Sequence, residues 1–165
     1  MEAISSDGAV YRLFIPEGAL VQLTTIRMIP VESAGGLPFS GGVVAGVELE
    51  PSGLSLLVPA TLSLEIPENL PLEESWGVST LAAGNQAALY PFSHNASTAE
   101  MVIGGFSGRI ISQGGIEDAQ ALASRPVTAA GRRGVSEVAL ILKEAALAQK
   151  EEPEIWKSDP YLAEI

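Results

Sequence analysis

The stretch IGGFSGRIIS, residues 103 to 112, holds the residues of this chain whose types and spacing most suggest chemistry. Ser107 follows Phe106, and glycines stand on both sides of the pair. Either Ser107 reacts as a nucleophile, or Phe106 fills a core while the glycines let the backbone turn. The rest of the sequence weighs these two interpretations.

Other reactive groups are few. The 165 residues include no cysteine, which excludes disulfides, thiolate nucleophiles, iron–sulfur clusters and the common structural zinc sites. His94 is the single histidine, and no calcium-loop pattern is present, so we predict no metal site. The glycine clusters lack the Lys-Ser/Thr pair of a phosphate-binding loop, and we predict no cofactor.

The charge of the chain excludes two classes of partner. Twenty acidic and nine basic side chains give a formal charge of −11, which repels nucleic acid and anionic lipid. Each apolar run is far shorter than the ~20 residues that cross a bilayer, so we predict no membrane insertion.

The elements that would position Ser107 are strands. From Ala9 to Ile111, apolar residues recur with period two in short runs separated by Gly, Pro and Asn. We predict a strand from Ala9 to Ile15, a long strand over VQLTTIRMIPV, residues 21 to 31, and a strand broken or bulged at Pro59. A hairpin is predicted at Gly84-Asn85. About seven to nine short strands without intervening helices indicate an antiparallel β-sandwich or a barrel.

The chain changes character after Gln113. GGIEDAQALAS predicts two helical turns, and RPVTAAGRRG reads as a linker. Ser136 can cap a helix over residues 137 to 150, whose broad apolar stripe favours a partner surface. We therefore expect a sandwich over residues 1–115 and a partly helical tail over 116–165.

The order of four segments resembles a ZU5 domain, a β-sandwich module of larger proteins. These segments are DGAVYRLFIPEGAL, TTIRMIPV, GVELEPSGLSLLVPATLSLEIP and GGFSG. The similarity runs from about Asp7 to Ser112, and its most specific part is L-x-P-x-G-L, which starts at Leu49. The resemblance implies a sandwich of ZU5 type that serves as a non-catalytic interaction module, here of a bacterial multidomain protein.

Some ZU5 domains cut their own backbone at a His-Phe-Ser sequence, so the residues around Ser107 can be compared with that motif. Phe106 and Ser107 match two positions, but Gly105 stands where the family has its histidine. Without that base the reaction loses ~10²- to 10⁴-fold in rate. His94 lies in PFSHN, where it follows a serine instead of preceding Phe-Ser. We do not expect the fold to place this one histidine beside Ser107. The structural interpretation of Phe106 and Ser107 is therefore favoured.

Three functions follow from the sequence. The preferred one is a non-enzymatic module that binds a protein partner or a neighbouring domain through strand edges or the 137–150 helix. The second is self-cleavage between Phe106 and Ser107. The third is a carbohydrate- or wall-binding sandwich that uses Trp76 and Tyr90. The opening MEAISSDGAVYRLF has no signal-peptide pattern and reads as the start of a fragment, whose parent protein we expect at the cell surface or outside the cell.

Overall fold

A computed structural model of the protein describes residues 1–67, 72–80 and 86–125. The described residues form ten strands: β1 (Glu2–Ile4), β2 (Val10–Phe14), β3 (Arg27–Pro30), β4 (Val43–Glu50), β5 (Ser55–Glu65), β6 (Ser75–Thr80), β7 (Ala87–Leu89), β8 (Ser93–His94), β9 (Thr98–Gly105) and β10 (Gly108–Gln113). A 3-10 turn covers Leu72–Glu74, and the helix α1 covers Ile116–Ala123.

The strands make two five-stranded antiparallel sheets. The first sheet has the order β1-β2-β5-β9-β8, and the second has the order β3-β4-β10-β6-β7. Inward-facing residues of both sheets share one core, as the period-two pattern requires. The core members include Tyr11, Leu13, Val47, Leu49, Leu62, Leu64, Met101, Ile103, Phe106 and Ile111. The predicted all-β sandwich is therefore confirmed.

The stretch that contains Ser107 joins the two sheets. β9 ends at Gly105 in the first sheet, and β10 begins at Gly108 in the second. The sequence left open whether this region is one strand or two. It is two strands, and Phe106 and Ser107 form the crossing between them.

Of two predictions about individual strands, the structure confirms one and contradicts the other. β5 continues through Pro59, but its pairing with β9 shifts register between Ser55 and Ala60, which confirms the bulge. The long strand predicted over residues 21 to 31 is wrong, because only Arg27–Pro30 is a strand. Arg27 pairs with Glu50, the last residue of β4, and within the described residues no strand pairs with residues 21 to 26.

The outer faces of the two sheets differ. The second sheet is covered by helix α1, which corresponds to the two helical turns predicted after Gln113. Its residues Ala119 and Leu122 pack in a second apolar cluster with Phe39, Val78 and Ile110. No element of the described chain covers the outer face of the first sheet, where Phe14 is 68% exposed.

Several predictions fall on other parts of the chain. β6 and β7 pair antiparallel, but the Gly84-Asn85 turn lies outside the described residues. The linker after Arg125, the 137–150 helix and the acidic end also lie outside them. Within the described ranges, no helix has the length and apolar character that crossing a membrane requires.

Candidate functional site

Ser107 sits in a small polar cluster inside the sandwich. It is buried, and its Oγ lies 3.3 Å from the Oγ of Ser79 on β6. Arg109 donates a hydrogen bond from Nη1 to the Ser107 hydroxyl and another, of 2.8 Å, to Ser79 Oγ. The hydroxyl of Ser107 is thus an acceptor for a cation.

Arg109 is the centre of this cluster. Its relative exposure is 0%, and Nη2 donates to the carbonyl of Gly105 at 3.0 Å. Its guanidinium lies over the ring of Tyr90, whose hydroxyl donates to the carbonyl of Val102 at 2.7 Å. Sequence reasoning missed Arg109. The sequence did contain a sign that Arg109 is buried: with a period of two in GRIIS, Arg109 lies on the same inward face as Ile111.

The arrangement around Ser107 does not activate it as a nucleophile. A guanidinium cannot accept the proton that a serine must lose, and its hydrogen bond occupies a lone pair of the hydroxyl. His94 is exposed on β8 and pairs with Ala99, whereas Ser107 follows the opposite end of β9. β9 has 8 residues, so the two ends lie roughly 20 Å apart. The structure does not bring His94 and Ser107 together.

The Phe106-Ser107 peptide is held by the turn that follows β4. Phe106 N donates to Leu54 O, and Gly53 N donates to Phe106 O, each at 2.8 Å. The Phe106 side chain is buried in the shared core. A Cβ on Gly105 would lie 2.9 Å from Leu54 O, too close for any side chain without backbone movement. The close approach of the Leu54 carbonyl therefore explains why glycine, and not histidine, precedes Phe106.

The two aromatic residues considered for carbohydrate binding do not form a platform. Trp76 is partly buried, donates from Nε1 to Gly114 O at 2.8 Å and packs against the second apolar cluster. Tyr90 is buried under Arg109 in the shared core. Neither ring offers an open face of the kind on which sugars stack.

A cavity of about 560 Å³ lies on the outer face of the second sheet. Its floor is the row Glu48, Gly108 and Thr80, which strand pairing places side by side on β4, β10 and β6. Burial raises the pKa of the Glu48 carboxyl, and the nearby positive charge of Arg109 partly opposes this rise. A Cβ at position 108 would lie 2.1 Å from Thr80 Oγ1 and 2.8 Å from Glu48 Oε2, so a larger residue there would force these side chains to move.

The outer face of the first sheet carries an exposed apolar row. Strand pairing places Phe14, Thr61 and Val102 side by side on β2, β5 and β9. Phe14 is 68% and Val102 is 46% exposed. Beside this row, Arg12 on β2 forms ion pairs with Glu2, at 2.9 Å, and Glu65, at 2.6 Å. We call Phe14, Thr61 and Val102 the apolar row.

Comparison with known proteins identifies no family for this chain. No protein-family model matches the chain, and no curated protein matches it. The similarity to ZU5 domains thus remains a prediction from the segments between Asp7 and Ser112.

Proposed function

We propose that this chain is a non-catalytic protein-interaction module of a larger protein, and that it binds its partner through the apolar row on the first sheet. The observation that carries the proposal is the alignment of Phe14 and Val102 on an uncovered sheet face. Phe14 and Val102 flank Thr61 on this face, and apolar groups gathered on one face mark contact surfaces more often than scattered ones do. Aromatic anchors also supply much of the binding energy at protein interfaces.

The uncovered face supports binding better than the strand edges do. The edge strands are short: β1 and β7 have 3 residues each, β8 has 2 and β3 has 4. Such edges give an added strand few backbone hydrogen bonds, and Pro30 removes one more donor from β3. The strand-edge mode expected from the sequence therefore has less support than face-to-face docking.

The charges around the apolar row indicate the chemistry of the partner. Glu2 and Glu100 lie with Arg12 in the outward-facing row next to it, Glu65 lies one row further along β5, and the whole chain carries a formal charge of −11. We infer a partner surface with an apolar centre and a basic rim, because opposite rim charges raise the rate of association.

Photo-cross-linking from the apolar row tests the proposal. A benzophenone amino acid replaces Phe14 in one protein and Arg27, an exposed residue on the second sheet, in the control. Each protein is irradiated with extract of the source cells, and cross-linked chains are identified by mass spectrometry. We expect one partner that cross-links from position 14 and not from position 27.

Competition decides whether this cross-link is specific. Excess unlabelled protein should suppress it, whereas excess Phe14→Ser/Val102→Thr protein should not. Equal suppression by both competitors, or equal cross-linking from both positions, would rule out the apolar row as the binding surface. A cross-link between two copies of the purified chain would make the partner a second copy.

A further inference from the structure

The cavity on the second sheet has apolar walls and a floor rich in oxygen atoms. The described residues that line it include Val31, Ala34, Leu37, Ala87 and Ile110 on the apolar side, with Arg125 at the rim. Arg125 donates a hydrogen bond to the carbonyl of Gly36 at 2.7 Å, and this bond holds the loop that contains Gly36 at one wall of the cavity. The volume of about 560 Å³ is within the range of small-molecule sites.

The two floor oxygens come together because Gly108 has no side chain. Glu48 Oε2 and Thr80 Oγ1 both crowd the position where a Cβ of Gly108 would stand. The carboxylate supplies a negative charge, and the hydroxyl supplies an acceptor beside it. Together they can accept hydrogen bonds from one cationic donor group.

The Glu48 carboxylate is available for such a donor. In the described part of the chain, no residue gives it a hydrogen bond or an ion pair, whereas Glu50, two positions along β4, lies 3.7 Å from Arg27. Glu48 is nevertheless partly buried, and a partly buried carboxylate without a hydrogen-bonding partner is unfavourable. The positive charge of Arg109 offsets part of this cost, and a cation bound at the carboxylate would offset more of it.

We propose that the cavity binds a primary ammonium group carried on a short apolar stem, with the ammonium on Glu48 and Thr80 and the stem against Leu37, Ala87 and Ile110. A metal ion is a poorer fit, because the described residues contain no cluster of three acidic or histidine side chains. The ammonium belongs either to a small amine or to a lysine side chain. This inference does not rest on the proposed function, because it concerns the opposite sheet.

Titration with n-butylammonium chloride, followed by ¹⁵N–¹H NMR, tests the proposal. Sodium chloride keeps the ionic strength constant, and n-butanol serves as the uncharged control of the same length. We expect saturable shifts of the Gly108, Thr80 and Glu48 amides, with a Kd of about 1 to 10 mM for so small a ligand. A second titration with N-acetyl-lysine-N-methylamide shows whether a lysine side chain binds more tightly than the free amine, and binding of either one supports the proposal.

Variants make the test specific. Glu48→Gln keeps the shape of the side chain and should weaken butylammonium binding at least about tenfold. Thr80→Val should weaken it about threefold to tenfold, because one neutral hydrogen bond is lost. Glu100→Gln removes an equal charge from the first sheet and should leave the Kd unchanged. Equal shifts with n-butanol, shifts outside the cavity, or an unchanged Kd in Glu48→Gln would overturn the proposal.

Discussion

The guanidinium carbon of Arg109 lies 4.5 Å from the centre of the Tyr90 ring. This contact places a fully buried cation on an aromatic face inside the sandwich, where such contacts are worth about 2 kcal/mol or more. The same guanidinium bonds Ser79 on β6 and the Gly105 carbonyl at the end of β9. Arg109 therefore ties both sheets together at the point where the chain crosses between them.

We predict that Arg109 is a major contributor to stability. Arg109→Ala leaves a cavity and removes the donors to Ser79 and Gly105, and it should lower the free energy of unfolding by about 3 to 5 kcal/mol. Arg109→Met fills the space of the stem and should cost less, about 1 to 3 kcal/mol. Urea unfolding followed by circular dichroism measures both values.

Arg27→Met is the matched control for Arg109. Arg27 is exposed, and its ion pair with Glu50 is 3.7 Å long, so its loss should hardly move the unfolding midpoint. If Arg109→Met and Arg27→Met have the same midpoint, the buried network does not stabilise the crossing.

Ser107 should be a structural residue. We predict that the purified protein keeps its intact mass for days at neutral pH. Ser107→Ala should cost about 1 kcal/mol of stability, because Arg109 and Ser79 lose a hydrogen-bonding partner. Intact-mass measurements on both proteins provide the check. Fragments that correspond to a break between Phe106 and Ser107, present in the wild type and absent in Ser107→Ala, would instead identify a nucleophile.

The sequence predicted the architecture because period-two patterns report directly which face of a strand is buried. The alternation of Tyr11 and Leu13 with exposed neighbours is visible in the sequence and in the fold. The same reasoning failed over residues 21 to 26, where alternation is present but no described strand pairs with the backbone. A pattern of side chains cannot reveal whether the backbone finds a pairing partner.

The candidate sites were less visible in the sequence. Ser107 drew attention through its glycines, but its environment depends on Arg109 and Ser79, which strand pairing brings to it from β10 and β6. The cavity depends in the same way on the row Glu48, Gly108 and Thr80, which comes from three separate strands. Such rows follow from sheet order and register, and a single sequence does not specify either one.

A side chain at position 108 should destabilise the protein through its contact with Thr80. A Cβ at this position would lie 2.1 Å from Thr80 Oγ1, so Gly108→Ala forces Thr80 to move and should cost about 1 to 3 kcal/mol. Thr80→Ala removes the clashing oxygen, and we predict that Gly108→Ala costs clearly less in that background. Urea unfolding of the two single variants and the double variant completes the cycle. Strictly additive costs would show that Thr80 does not restrict position 108.

Glu48 should make stability depend on pH in a defined direction. Because burial raises its pKa, the folded protein holds the Glu48 proton more tightly than the unfolded chain does. Glu48 therefore contributes most to stability below the ordinary carboxyl pKa of about 4.3. This contribution is lost as pH rises through the higher pKa that Glu48 has in the folded protein. We predict that Glu48→Gln is more stable than the wild type at pH 7 and that the difference shrinks below about pH 4, where Glu48 is also neutral.

Urea unfolding of both proteins between pH 3.5 and 7 measures this difference. Glu100→Gln, exposed on the first sheet, controls for the loss of one negative charge from an acidic chain. A difference between Glu48→Gln and wild type that stays constant over this range, or that grows as pH falls, would contradict the prediction. Butylammonium should narrow the difference at pH 7, because it stabilises the wild type more than Glu48→Gln.

Helix α1 should unfold together with the sandwich. Leu122 is 2% exposed and packs against the second apolar cluster, whereas Ile116 on the same helix is 61% exposed. We predict that Leu122→Ala lowers the free energy of unfolding by about 2 to 4 kcal/mol and that Ile116→Ala changes it by less than about 0.5 kcal/mol. Hydrogen exchange distinguishes a shared unfolding event from a local one. If Leu122→Ala exposes only the α1 amides and leaves β6 and β10 fully protected, α1 is a separable arm and not part of the sandwich core.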